Sequence, residues 1–188
     1  MMARSAVHGR KTHARAGLSP VVVPVAGTAL LLIDVINDLA FDGAEAIVAQ
    51  AESMAAPLER TVAHCTARSS PGHLVSRRLR PTPRDYFVLK PKHSGFFGTT
   101  LDTLLEALRI RRVILTGIAG NICVLFTAND AYMREYSIFA PADCIVSNTA
   151  ADNDHALRQI KTVLKGDIAV STRLRFHSRP HSPTARRR

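Results

Sequence analysis

The sequence predicts an α/β fold: a doubly wound, three-layer α/β/α domain around a mostly parallel sheet. Apolar runs of strand length alternate with longer segments of helical periodicity along the 188 residues. The first apolar run, ALLLIDV at 29–35, has no polar alternation, which is typical of a strand buried on both faces of a parallel sheet. The chain length suits one domain with a sizeable core.

The remaining elements follow in order. An alanine-rich segment at 44–67 predicts the first helix, and TLDTLLEALRI at 100–110 carries a leucine stripe at helical spacing. We predict two further helices and four further strands, which makes five strands in all. The helices are expected at 122–136 and 148–164, and the strands at 85–91, 111–118, 137–146 and 167–170.

The positive charge lies in the two ends of the chain. Residues 1–28 contain four basic residues and residues 173–188 contain six, and neither segment has an acidic residue. The 29–172 segment holds 15 basic and 15 acidic residues, so the net charge of +10 comes from the ends. We expect 29–172 to be the folded domain and both ends to be disordered basic tails. Specific nucleic-acid binding is not expected, because the predicted domain is neutral and aromatic residues make up only 5% of the chain.

The cysteine content and hydropathy favour a cytoplasmic protein. Three cysteines, Cys65, Cys123 and Cys144, are an odd number and lack the spacing of a metal site. No apolar run reaches the length that spans a membrane, since Pro24 and Gly27 interrupt the longest one. We therefore expect a reducing compartment and no membrane partner.

Three reactive side chains stand at the carboxyl ends of predicted strands. Asp34 ends the first strand, Lys90 ends the second, and Cys123 follows the third. Ligands of doubly wound folds bind at this edge of the sheet. A thiol at the start of a helix lies in a field that favours its anion, and a nearby ammonium would lower its pKa further. Base, cation and nucleophile together suit covalent catalysis.

Each of these residues has a plainer structural explanation when it is taken alone. Asp34 would also serve as a cap, Lys90 as a solvated strand end and Cys123 as a small core residue. Lys92 competes with Lys90 for the role of the cation. The joint occurrence of the three side chains at three strand ends favours a site.

Three separated motifs carry a resemblance to a known family. ALLLIDVINDL, VLKPKHSGFFGTTLDTLL and LTGIAGNICVLFTANDAYMREY, with APADCIVSNT after them, closely resemble the isochorismatase-like cysteine hydrolases over about 29–170. The resemblance implies a catalytic triad of Asp34, Lys90 and Cys123. It also implies a cis peptide bond between Ile118 and Ala119, and an oxyanion hole formed by the N–H groups of Ala119 and Cys123.

The same resemblance implies an activity. Family members hydrolyse C–N bonds of small amides, ureides or carbamoyl compounds through an acyl-enzyme. True isochorismatases lack the cysteine, so Cys123 favours the amidase-type branch. A small-molecule substrate and a homo-oligomer are expected, with a pocket that includes Leu39, Phe96 and Asn121. Phe97 has a sequence context equally consistent with the core.

The chain departs from the family pattern between its first helix and the Lys90 segment. Family members usually have another strand there, between the strands that carry Asp34 and Lys90. We expect the Lys90 strand either to pair directly with the Asp34 strand or to leave a gap. Neighbouring strands lie about 4.8 Å apart, so this shift is expected to misplace Lys90. The region that holds zinc in the nicotinamidases is missing as well, so neither a metal nor another cofactor is expected.

Two functions compete on these grounds. The first is a cysteine hydrolase that cleaves a C–N bond in a small amide, ureide or carbamoyl substrate. The alternative is a catalytically impaired relative, lacking a central strand, that acts as a binding or assembly module. The distance between Lys90 and Cys123 distinguishes the two. A loose electrostatic association of the basic tails with nucleic acid is a third possibility, and it should vanish with salt.

Overall fold

The fold is mixed α/β, and its strand pairings are parallel. A computed structural model of the chain describes residues 19–35, 78–79 and 84–177. This part of the chain contains six strands in two sheets. They are β1 (Val21–Pro24), β2 (Thr28–Ile33), β3 (Arg112–Ile118), β4 (Ser137–Phe139), β5 (Ile145–Val146) and β6 (Leu174–His177).

The main sheet is built around β3. The whole of β2 pairs with one edge of β3, from Thr28 opposite Arg112 to Ile33 opposite Gly117. Its other edge pairs first with β4 and then, near its carboxyl end, with β5. Since all these pairings are parallel, the carboxyl ends of β2, β3 and β5 meet at one edge of the sheet.

Three α-helices follow strands or loops of this sheet. They are α1 (Leu101–Ala107), α2 (Leu125–Met133) and α3 (Ala150–Thr162). A π-helical turn, Gly120–Val124, joins β3 to α2. Short 3₁₀ turns occupy Ala142–Cys144 and Ser171–Arg173. At α3 the side chain of Thr149 accepts a hydrogen bond from the N–H of Asp152, which caps the start of the helix.

The core follows the alternation of side chains along β3. Val113 and Leu115 belong to a large buried cluster with residues of all three helices, among them Leu105 and Ile160. The intervening Ile114 belongs to a second cluster, with Val23 and Leu174 of the small β1–β6 sheet. Successive side chains of a strand point to opposite faces. Helices therefore cover one face of β3, and the small sheet packs against its other face.

The predicted strand at 85–91 is not a strand. Residues 85–90 have no regular structure, and the side chains of Tyr86, Phe87 and Leu89 are exposed, Leu89 to 93%. The second alternative of the sequence analysis therefore holds: the Lys90 segment does not pair with β2. The predicted last strand at 167–170 is also reduced, to a single bridge between Phe139 and Asp167.

Two other predictions are refined. The predicted 137–146 strand breaks into β4 and β5 around Pro141, which lacks an N–H for a ladder. Residues 21–24 and 174–177 fall inside the predicted tails but pair as β1 and β6, so the prediction that these residues are disordered is wrong. Apolar pairing supplies the reason, because Val23 and Leu174 are buried together. The helix predicted at 44–67 lies outside the described residues.

Within the described ranges, no helix combines the length and apolar character needed to cross a bilayer.

Candidate active site

Two of the three reactive side chains are placed by adjacent parallel strands. Asp34 follows the last residue of β2, and Cys123 lies in the π-helical turn just after β3. Asp34 has a left-handed backbone, with φ of 51°, which aspartate tolerates better than most residues do. The peptide bond between Ile118 and Ala119 is cis, at the position where the sequence analysis expects one.

Lys90 joins the other two side chains. Its ammonium lies 2.7 Å from the Asp34 carboxylate and donates to the Cys123 sulfur at 3.5 Å. A further hydrogen bond of 3.2 Å goes to the backbone carbonyl of Lys92. The carboxylate, ammonium and thiol thus converge on one point at the edge of the sheet. Lys92, the competing candidate, contributes only its carbonyl there.

The expectation that a missing strand would misplace Lys90 is wrong. The loop after Lys90 is anchored to helix α2 rather than to a sheet, because the N–H of Gly95 donates to the Thr127 hydroxyl at 2.9 Å. Phe96, the next residue, is 5% exposed and belongs to the main core cluster. This anchor and the long side chain of lysine bring the ammonium to Asp34 without a strand beneath it.

The turn that carries Cys123 is tightly built. The carbonyl of Ala119 accepts hydrogen bonds from the N–H groups of Ile122 and Val124, both at 3.1 Å. The N–H of Asn121 donates to the Ser147 hydroxyl at 3.0 Å, although the Asn121 side-chain oxygen is buried without a partner in the described structure. The turn therefore has few ways to move relative to β3 and β5.

The thiol of Cys123 is less acidic than the sequence analysis expects. Burial raises its pKa first, and the hydrogen bond and negative charge of Asp34 raise it further. Lys90 opposes both effects, as expected, but does not overcome them. The prediction of a lowered thiol pKa is therefore wrong for the ligand-free site. Cys123 is a thiol at neutral pH and has a proton acceptor, Asp34, in contact.

The cation of the site is secure. Burial alone lowers the pKa of Lys90, but its hydrogen bond to Asp34 and the charges of Asp34 and Cys123 outweigh that effect. The net pKa is raised, so Lys90 stays protonated at any physiological pH. Cys144 is different, since burial above all raises its pKa to about 12 with no ammonium nearby.

The described structure bears on two of the three predicted pocket residues, Phe96 and Asn121. Phe96 packs on Tyr136, with ring centroids 6.0 Å apart, and lies under the Arg134 guanidinium. It is a core residue rather than a pocket wall, whereas Phe97 is 58% exposed. Asn121 lies in the turn that carries Cys123, and its place in a substrate pocket stays a prediction. Leu39 lies outside the described residues.

Two aromatic rings beside the thiol were missed. Nδ1 of His93 lies 3.9 Å from the Cys123 sulfur, and the His93 ring contacts the ring of Phe126 at 5.4 Å between centroids. The i, i+3 spacing of Cys123 and Phe126 is a helical signal that could have found the second ring. His93 lies in the loop after Lys90, where no periodicity predicts which side chains turn inward.

The described residues include no group of three or more histidine, cysteine or acidic side chains able to hold a metal ion.

Residues 53–172 of this chain match the family model of the isochorismatase domain. A Bacillus subtilis (strain 168) isochorismatase family protein, YaaI, is 39% identical over 177 aligned positions, covering 79% of this chain and 97% of the relative. The alignment has 177 positions, which is more than the number of residues that this chain contributes to it, 79% of 188. The relative thus has segments that this chain lacks, in agreement with an internal deletion.

Two more relatives carry descriptive names. Ureidoacrylate amidohydrolase RutB of Methylorubrum extorquens is 44% identical over 85 residues, which cover 45% of this chain and 34% of that enzyme. Crystalline N-carbamoylsarcosine amidase from Thermoplasma acidophilum superimposes with a TM-score of 0.56 and 25% identity, over 77% of this chain and 96% of its own. Both names describe hydrolases of non-peptide C–N bonds, the predicted enzyme class. Sequence match, fold and site geometry agree, and this chain belongs to the isochorismatase domain family.

Proposed function

We propose that this protein is a cysteine hydrolase that cleaves a C–N bond in a small amide, ureide or carbamoyl compound through an acyl-enzyme on Cys123. The observation that carries the proposal is the pair of Lys90 contacts, 2.7 Å to Asp34 and 3.5 Å to Cys123. Three side chains from separate parts of the chain meet there in the arrangement of an activated nucleophile. The named relatives support the same class of reaction.

Acylation begins with a proton transfer to Asp34. The Cys123 thiol gives its proton to the carboxylate as the sulfur attacks the substrate carbonyl carbon. The carbonyl oxygen becomes negative and is stabilised by the N–H groups of Ala119 and Cys123. When the intermediate collapses, the C–N bond breaks, and Asp34 returns the proton to the departing ammonia or amine.

Deacylation repeats the cycle with water. Asp34, a carboxylate again, accepts a proton from a water molecule that attacks the thioester carbon. The C–S bond breaks, and the proton on Asp34 returns to the Cys123 sulfur. Lys90 remains protonated throughout and balances the negative charge that passes between carboxylate, sulfur and oxygen.

A screen for ammonia release tests the proposal. Purified protein is incubated with small primary amides, ureides and carbamoyl compounds, and the Cys123→Ala and Cys144→Ala variants are assayed alongside. At least one compound should release ammonia with wild type and Cys144→Ala but not with Cys123→Ala. Rapid acid quench and peptide mass spectrometry should find the acyl group on Cys123. Turnover that survives Cys123→Ala contradicts the proposal.

The alternative of a binding module without activity predicts a disassembled triad. The side chains lie within hydrogen-bond reach of one another, which favours the hydrolase. The exposed Tyr86, Phe87 and Leu89 still leave a segment on which a binding role would rest. No ammonia release from any compound, with an intact and folded protein, would favour that second function.

A further inference from the structure

Ser147, which is buried, and Asn153, which is partly buried, form a polar pair behind the turn that carries Cys123. Ser147 directly follows β5 and is 0% exposed. Its hydroxyl accepts a hydrogen bond from the N–H of Asn121 at 3.0 Å and donates one to Oδ1 of Asn153 at 2.9 Å. The amide of Asn153 in turn donates to the carbonyl of Ile145 at 3.2 Å. The turn is thereby tied to β5 by three consecutive hydrogen bonds.

The same pair is in close contact with the backbone of the turn. A Cβ atom on Gly120 would lie 2.5 Å from Oδ1 of Asn153 and 2.7 Å from the Ser147 hydroxyl oxygen. Real Cβ atoms do not come so close, so only glycine lets the turn approach the pair this far. The close contact is made by Gly120, and the hydrogen bond to Ser147 is made by the next residue, Asn121. Together they fix the distance of the turn backbone from the pair and its orientation.

The anchored residue lies midway between the two groups that matter for the reaction. Asn121 is two residues after Ala119 and two before Cys123, whose N–H groups form the proposed oxyanion hole. A shift of the turn would move both donors together relative to the substrate oxygen. Misplacement by about 1 Å can lower a rate about 100-fold.

We infer that Ser147 and Asn153 are positioning residues, which hold the backbone donors of the 119–123 turn at the place where the oxyanion forms. The inference rests on the proposed function for its role in hydrolysis. The side-chain hydrogen bonds that the pair makes with other residues in the described structure go to Asn121 and Ile145, and none goes to the Cys123 sulfur. Loss of the pair should therefore slow reactions that build negative charge on oxygen more than reactions of the sulfur that do not.

Two reactions of the same sulfur separate this role from a general structural one. Hydrolysis of an amide passes through an oxyanion, whereas alkylation by iodoacetamide displaces iodide from a saturated carbon and forms no oxyanion. Removal of the Ser147 hydroxyl should therefore lower hydrolysis and spare alkylation. Ser147→Ala is the direct variant, because it removes the acceptor of the Asn121 N–H and adds no volume.

Ser147→Ala should lower kcat for the best amide about 10- to 100-fold, at or below the lower end of the roughly 10²- to 10³-fold range for loss of an oxyanion donor, because the donors are displaced rather than removed, with little change in KM. Alkylation of Cys123 should stay within about twofold of wild type, because its transition state has no oxyanion to stabilise. Asn153→Ala, which leaves the Ser147 hydroxyl in place, should have a smaller effect in the same direction. Ser171→Ala is the matched control, since the Ser171 hydroxyl also donates to a side-chain oxygen, that of Asp143, but lies outside the site.

A second probe makes the test independent of turnover. Acetaldehyde adds to the Cys123 sulfur as the thiol proton passes to Asp34, and the aldehyde oxygen becomes negative in the same place as the substrate oxygen. Protection of Cys123 from iodoacetamide by acetaldehyde measures this adduct. Ser147→Ala should need about 10-fold more acetaldehyde for equal protection, if the donors are displaced.

The outcomes are distinct. Unchanged kcat and unchanged protection in both Ser147→Ala and Asn153→Ala overturn the inference, as does an equal fall in hydrolysis and alkylation. If wild type hydrolyses nothing, the proposed function fails, and the acetaldehyde comparison still decides the positioning role. Circular dichroism melts establish that each variant is folded, and Asn153→Ala serves where Ser147→Ala does not fold.

Discussion

Gly117 of β3 faces the backbone of Ile33 in β2 so closely that a Cβ atom on Gly117 would overlap the Ile33 carbonyl. Gly117 also has φ of 117°, which side chains rarely permit. The two residues are register partners at the carboxyl ends of their strands. Their close approach sets Asp34, which follows Ile33, beside the turn that follows Gly117, so it helps to assemble the site.

Gly117→Ala should therefore disrupt both stability and activity. The added methyl meets rigid backbone rather than a flexible side chain, so the strands must separate. We expect a loss of at least about 2 kcal/mol in the free energy of unfolding, from denaturant titration. Gly27→Ala is the comparison. Gly27 also has positive φ, but a Cβ atom there would have its nearest neighbour at 3.4 Å, and the residue lies away from the site. An equal loss of stability in both variants would contradict the role given to close approach.

The pH dependence of Cys123 alkylation tests the electrostatics of the site. Burial and the charge of Asp34 raise the thiol pKa, and Lys90 lowers it, so the alkylation midpoint should lie above the value of about 8.5 for a free thiol. Asp34→Asn removes a negative charge and should lower the midpoint. Lys90→Met removes a positive charge and should raise it. Iodoacetamide rates between about pH 6 and 10 give all three midpoints.

The alkylation midpoint is expected to fall in Asp34→Asn and to rise in Lys90→Met, so the two variants must differ in the sign of the shift. If both variants moved the midpoint in the same direction, the thiol pKa would be governed by packing rather than by the two charges. A wild-type midpoint below that of a free thiol would show that the ligand-free site already favours the thiolate.

Asp34→Asn should separate alkylation from hydrolysis. Without the charge of Asp34 the thiol ionises more easily, so alkylation at neutral pH should become faster. Hydrolysis needs a carboxylate that accepts and returns a proton, so kcat should fall about 10²- to 10⁴-fold. Ammonia release and alkylation are measured on the same preparation. A parallel fall in both rates would mean that Asp34 acts by holding the site together and not as a base.

Part of this site follows from the sequence for a physical reason. Parallel strands bring their carboxyl ends to one edge, so Asp34 and Cys123 could be placed together from the apolar runs that precede them. The register of β2 against β3 then places Asp34 beside the turn that carries Cys123. The helices and the β3 strand between residues 100 and 164 also follow from the sequence, because their periodicity agrees with the way they are buried, whereas the strand predicted at 137–146 is broken at Pro141.

The rest depends on contacts between distant residues. Lys90 reaches the site because the N–H of Gly95 is hydrogen-bonded to the Thr127 hydroxyl. No local sequence pattern predicts a hydrogen bond between residues 32 positions apart. Phe96 and Phe97 are adjacent in a loop without periodicity, so the sequence does not tell which of them is buried. The sign of the Cys123 pKa shift depends on burial and two opposed charges, whose balance only the distances decide.

The ring pair of His93 and Phe126 should shape substrate preference. His93 lies 3.9 Å from the sulfur, and Phe126, half exposed, supports its ring. In the proposed complex the substrate carbonyl carbon lies against the sulfur, which would put its acyl group next to the His93 ring. Phe126→Ala should raise KM about 10-fold for the best substrate, because the ring no longer covers apolar surface of the substrate, with a smaller change in kcat. Phe97→Ala is the matched control, because Phe97 is similarly exposed and no ring contact joins it to His93 in the described structure.

His93→Phe distinguishes shape from chemistry at the same position. The variant keeps a ring against Phe126 but loses the nitrogen next to the sulfur. If the ring pair is a wall, His93→Phe should keep KM within about threefold of wild type while His93→Ala raises it about as much as Phe126→Ala does. A fall in kcat shared by His93→Phe and His93→Ala, with KM unchanged, would instead give the imidazole a part in proton transfer. Steady-state ammonia release at several pH values decides between these results, because only a proton-transfer role would also change the pH profile of kcat.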